Sequence, residues 1–127
     1  MRPPCLLLGA CSAFSAVGFG AFGAHALKSV LAPEMLIVYQ TGVTYQMWHA
    51  LGLMVLALLS SSDSRSKLLD WVGWLMFAGI VIFSGSLYVL TIANLRWLGM
   101  LTPIGGMAFL SAWLLLIIYA VKNKPLR

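Results

Sequence analysis

Residues 69–93 read LDWVGWLMFAGIVIFSGSLYVLTIA, and past Asp70 they carry no charge at all. An apolar run of this length is read as a helix that crosses a lipid bilayer. Hydrocarbon offers no partner to a backbone N–H or C=O, so a spanning segment must satisfy its own backbone, and a helix does so. At about 1.5 Å per residue the run is about 37 Å long, against a hydrocarbon core of about 30 Å. Trp71 and Trp74 near one end and Tyr88 nearer the other sit where aromatic belts are expected.

Three further runs flank this one and fill almost the whole 127-residue chain. The first covers about 4–26, opened by Arg2-Pro3-Pro4. The second begins at Pro33, where a missing N–H costs nothing, and Glu34 meets the positive helix end. From 33 to 60 it would be about 42 Å long, more than the bilayer needs. Gly42 is therefore a candidate bend, with 33–41 an interfacial lead-in and 42–60 the spanning part. The fourth run covers 103–121, with Thr102 as helix N-cap and Pro103 in the first turn. The expected architecture is a single all-α domain, 1–127, with four spans at about 4–26, 42–60, 69–93 and 103–121.

Composition excludes the common alternatives. Hydrophobic residues make up 61% of the chain and charged residues 9%, far from the roughly 25% charged of a soluble domain. The net charge of +5 forms no stripe interleaved with exposed aromatics, so no nucleic-acid partner is expected. Lys and Arg instead mark topology. With four spans, Arg2, Arg65, Lys67, Lys122, Lys124 and Arg127 fall on one side and only Lys28 and Arg96 on the other. Positive charge collects on the cytoplasmic side, so both termini of this multi-pass chain are expected in the cytoplasm, or in the matrix if the membrane is mitochondrial.

Cys5 and Cys11 lie six apart in the first run, a spacing that suits neither a redox pair nor a metal site. They are read as packing thiols. Leu8-Gly9-Ala10-Cys11 has the look of a lipoprotein cleavage box, but too few apolar residues precede it, and the first run is expected to be retained. Metal and cofactor binding are not expected.

Polar residues within the spans are unevenly placed. Taking each midpoint as the bilayer centre, Gln46, His49, Ser84, Ser86 and Tyr88 fall roughly 3 to 10 Å toward the outer side, with His25 and Thr102 near the outer boundary. Tyr45, Gln46 and His49 share one side of a helix by their spacing, as do Ser84 and Tyr88. Desolvated polar groups are costly unless paired. The expectation is a polar cluster of His25, Tyr45, Gln46, His49, Ser84, Ser86, Tyr88 and Thr102 in the outer half of the bundle, above an apolar cytoplasmic half.

Small residues suggest close helix packing. Ser12, Ala16, Gly20 and Ala24 recur every fourth position, and Gly23, Gly85, Gly105 and Gly106 sit in apolar surroundings where helix contact is a better reading than phosphate binding. A partner, whether a second copy or another membrane protein, would be met within the bilayer through such a ridge.

Four ordered motifs carry a resemblance: Gly20-Ala21-Phe22-Gly23-Ala24-His25; Thr41-Gly42-Val43-Thr44-Tyr45-Gln46 with His49; Phe83-Ser84-Gly85-Ser86-Leu87-Tyr88; and Thr102-Pro103-Ile104-Gly105-Gly106. Over essentially its whole length the chain resembles the domain-of-unknown-function 423 family, which implies a multi-pass inner-membrane protein without an assigned biochemical role. Two function classes stand open. One is a structural or accessory protein whose polar cluster sets helix packing. The other is passage of a small solute or protons past His25 and His49. With no buried carboxylate or activated cysteine, catalysis is not expected.

Overall fold

The computed structural model describes residues 1–124, and among these it is entirely helical. The elements are α1 (Cys5–His25), α2 (Pro33–Ser62), α3 (Lys67–Gly79), α4 (Gly85–Ile92) and α5 (Thr102–Lys122), with short 3₁₀ turns at Leu27–Ser29 and Arg96–Met100. A π turn, Ile80–Ser84, joins α3 to α4 without a break. The described residues thus contain four helical stretches long and apolar enough to cross a membrane: Cys5–Ser29, Pro33–Ser62, Lys67–Ile92 and Arg96–Lys122. Arg127, counted above with the basic tail, lies outside the described residues.

Large apolar side chains cover the outside as well as the inside. Phe14, Trp48, Leu58, Leu110 and Val121 all point outward. Contiguous apolar surface on this scale suits a protein bathed in lipid. Local chemistry sets the ends of the helices. Pro33 occupies the first turn of α2, and the Ser66 hydroxyl caps α3 by accepting from the Leu69 N–H at 3.4 Å. Asn94, at φ 54°, terminates the third stretch in the left-handed region that Asn tolerates.

The first hairpin is sealed by small residues. Cys5, Gly9, Ser12, Ala16 and Gly23 are the buried positions of α1, and α2 is its chief neighbour. The contacts are close: a Cβ on Gly9 would lie 2.8 Å from the Ala50 carbonyl oxygen, and one on Gly23 would lie 2.5 Å from the Tyr39 ring. The four-residue ridge is only half right, because Ala24 is exposed and Gly20 half-buried. Each step of four residues advances about 40° around the helix, so by the third step Ala24 has rotated off the face that Gly23 still occupies. The buried part of the ridge is consumed inside the chain and is not free to meet a partner.

Helix α2 runs through Gly42 without interruption, so 33–41 and 42–60 are parts of one helix. Gly42 is buried, and a Cβ there would lie 3.0 Å from the Tyr88 ring and 3.4 Å from Leu87. Its role is close approach, not a break in the helix.

The third stretch changes partner halfway along. Helix α3 lies chiefly against α5, whereas α4 lies against α2 and the turn at 96–100. Between them the π turn admits an extra residue, and a turn widened in this way rotates everything beyond it. Helix α5 meets the turn backbone to backbone, since a Cβ on Gly105 would fall 2.4 Å from the Phe83 nitrogen. On the α3 side, a Cβ on Gly79 would strike the Phe109 ring at 2.3 Å. Gly85 is different: nothing lies within 4 Å of its would-be Cβ, and Gly106 has only Phe83 at 3.9 Å. The expectation that Gly85 is a packing glycine is therefore corrected.

One end of the bundle is dry and apolar, built on Leu53, Leu56, Leu69, Val72, Met76 and Phe109. The N-terminus, the last turn of α5 and the 63–66 connection converge beneath it. Arg2 donates to the Ser60 carbonyl and stands 3.9 Å from Asp70. The Trp74 indole donates to the Met1 carbonyl at 2.8 Å, and the Tyr119 hydroxyl to Asp63 at 3.2 Å.

Candidate functional site

Gln46 is the hub of the polar residues. Buried on α2, it donates through Nε2 to the Ser12 carbonyl at 2.9 Å and to the Ser15 hydroxyl at 2.7 Å, and its Oε1 accepts from the Tyr88 hydroxyl at 2.6 Å. One side chain thereby ties α1, α2 and α4 together. One turn away, Ser84 donates to the Gly42 carbonyl at 2.6 Å, joining the π turn to α2. Tyr39 repeats the device toward α1, donating to the Phe19 carbonyl at 2.6 Å, and its ring packs on Tyr88 at 5.2 Å between centroids.

Ser86 and Thr102 pair through their hydroxyls at 2.8 Å, linking α4 to α5. The N-cap role expected of Thr102 is overturned: it lies inside α5, where no side chain caps the helix. Its hydroxyl serves a neighbouring helix instead.

The protons of His49 can be placed from its partners. The Trp113 indole N–H, a donor only, points at His49 Nε2 at 3.0 Å, so Nε2 must be the accepting nitrogen. The ring proton then sits on Nδ1 and is donated to the Tyr45 carbonyl at 2.7 Å. Below, the imidazole stacks on Phe109 at 3.5 Å and 11°. Both nitrogens are committed, which leaves none to receive a mobile proton.

Two residues expected in the cluster stand outside it. His25 is exposed at the end of α1; thirteen residues beyond Ser12, it falls nearly opposite the buried face. Tyr45 is 44% exposed, about 40° further round α2 than His49, and its ring rests on Phe83 at 4.7 Å. Ser15, Tyr39 and Trp113 join the network without having been anticipated. Tyr39 lies two turns from Gln46, and Ser15 one turn from Ser12, both of which were expected. Trp113 reads as a lipid-facing aromatic, and only the fold brings it to His49.

The arrangement is closed. No buried side-chain nitrogen or oxygen among the described residues lacks a hydrogen-bond partner. Beside His49, between α2, the π turn and α5, lies an open groove of about 420 Å³ walled by Tyr45, Phe83, Pro103, Gly106, Met107 and Trp113. Its walls are overwhelmingly apolar, and it presents no charged group.

Fold and network together define a multi-pass, helix-bundle membrane protein whose polar side chains bind helix to helix. Residues 19–106 match the family described as "Protein of unknown function (DUF423)". The chain is 50% identical over 117 residues to the UPF0382 membrane protein YwdK of Bacillus subtilis, covering 92% of this chain and 95% of that one. A UPF0382 membrane protein of Staphylococcus saprophyticus is 48% identical over 92% of this chain and 96% of its own, and one of Staphylococcus haemolyticus 45% identical over 92% and 94%. No solved structure matches. The chain belongs to the DUF423 family.

Proposed function

We propose that this chain is a non-catalytic structural or accessory protein of the bacterial inner membrane, with both termini in the cytoplasm and a hydrogen-bonded outer half that fixes how its helices pack. The observation that carries this reading is the complete pairing of buried polar atoms. A conducting path needs groups that can exchange partners. Gln46 has both kinds of group engaged, and His49 has both nitrogens engaged. The charge bias supports the orientation: the N-terminus and the loop bearing Arg65 and Lys67 lie at one end of the bundle, with Lys122.

The test has two arms. Purified protein in proteoliposomes carrying an internal pH dye should leak protons no faster than empty vesicles, and His49→Gln should lower thermal stability without altering the leak. A leak above background that His49→Gln abolishes would sink the reading. For orientation, a C-terminal reporter that works only in the cytoplasm should be active; activity of its periplasmic counterpart would reverse it.

A further inference from the structure

The outward face of α2 breaks the rule that the interior obeys. Gln40, Thr44 and Trp48 recur every fourth residue and are all exposed, as is Tyr45 beside them. Trp48 is 71% exposed at the midpoint of α2, whereas a membrane Trp ordinarily sits in an interfacial belt. Among the described residues, none of these four side chains makes a hydrogen bond. Thr41, by contrast, folds its hydroxyl back onto the Ile37 carbonyl at 3.0 Å. With α2 centred in the bilayer, Thr44 and Trp48 lie within about 5 Å of the midplane and Gln40 about 11 Å from it. All three are then inside the hydrocarbon, where an unpaired donor is costly.

The outward face of α1 shows what an ordinary lipid surface looks like here. Phe14, Val17, Leu6 and Leu7 are exposed on it, and Ser15 at its edge turns its hydroxyl inward to the Cys11 and Ser12 carbonyls and to Gln46. Among the described residues, helix α2 alone offers lipid a row of unmet polar groups.

We propose that this face of α2 pairs with the same face of a second copy of the chain, around a two-fold axis along the membrane normal. Copies inserted the same way up can be related only by such an axis, so their α2 helices run parallel and like residues meet at like depth. A seam of that kind needs side chains that both donate and accept. The Gln40 amide and the Thr44 hydroxyl do both, and the Trp48 N–H, which only donates, has the other copy's Thr44 hydroxyl one turn away. Past Glu34 no charged residue occurs on α2 to repel its twin. Ile37, Leu51 and Val55, exposed at the same angular position, extend the seam with apolar contact. The inference rests on the accessory-protein reading only in requiring both copies to face one way, whichever way that is.

Oxidative cross-linking in native membranes tests it. In a Cys11→Ser background, with buried Cys5 left in place, Thr44→Cys should give a disulfide-linked dimer, and Phe14→Cys on α1 should not. Adding Gln40→Leu should weaken dimerisation by about threefold per hydrogen bond removed. Equal cross-linking at 44 and 14, or none at 44, overturns the proposal. So does a native mass spectrum from nanodiscs showing a monomer that retains a small lipid-soluble molecule or a different protein.

Discussion

The α1–α2 seam and the α3–α5 seam use the same small residues to different ends. In the first, glycine on α1 faces the Ala50 carbonyl but also groups that can partly give way, the Tyr39 ring and the Met54 side chain, and polar side chains then reach across to backbone carbonyls. In the second, Gly105 faces the backbone of Phe83 in the adjoining π turn, and the surrounding contacts are aromatic, with Phe109 at their centre. One seam is fastened by hydrogen bonds and, away from the Gly9–Ala50 contact, tolerates adjustment. The other is fastened by shape, with no slack. Between helices in lipid there is little hydrophobic driving force, so these are the two remaining ways to choose a neighbour.

Gly105→Ala should break the comparison most severely, because the added methyl meets main chain that cannot rotate aside. We expect a loss of about 3 kcal/mol, the upper end for overpacking, read as a collapse of thermal stability in detergent. Gly85→Ala, one turn of chain from the same region but facing open space, is the control and should be neutral or slightly stabilising. Equal damage from both would show that the tight contact is not what matters there.

Gln46→Leu should come next, at about 1–2 kcal/mol, since it strands the Tyr88 hydroxyl as well as removing its own bonds. Adding Tyr88→Phe should recover part of the loss, because no donor is then left unpaired. If the double variant is as unstable as the sum of the singles, the hub is not organised as described. Smallest is the link between seams, His49 to Trp113. A double-mutant cycle with His49→Phe and Trp113→Phe should return a coupling of about 0.6 kcal/mol, the typical value for such bonds in membranes. A coupling indistinguishable from zero would remove Trp113 as the acceptor-seeking partner that sets the histidine tautomer.

The spans were legible in the sequence because lipid imposes one rule on every residue of a long apolar run. Rotation about the helix axis was less so. Counting every fourth residue along α1 carried the ridge to Ala24, although a count at about 100° per residue keeps Gly23 on the face and sends His25 to the far side. Depth placed Gln46, Ser84 and Tyr88 together; Tyr88 bonds Gln46, while Ser84 bonds the Gly42 carbonyl one turn along. Depth could not find Trp113, which reaches His49 from a helix 64 positions later in the chain. Gly42 was ambiguous because a glycine permits both a bend and a close approach, and the choice lies with Tyr88 on another helix. Nothing in Ile80-Val81-Ile82-Phe83-Ser84 announces a widened turn.

That widened turn has a consequence for how the chain could be edited. It stores one surplus residue in mid-span, so a single deletion within 80–84 could be absorbed by restoring ordinary helix while keeping both flanks helical. If the turn relaxed to ordinary helix with its residue count unchanged, azimuth would be forfeited: everything from Gly85 onward would swing by about 100°, carrying Tyr88 away from Gln46 and Ser86 away from Thr102, whereas the deletion keeps their bearing. Length and bearing are separate properties of this stretch, and the second is the one on which the interhelical bonds depend.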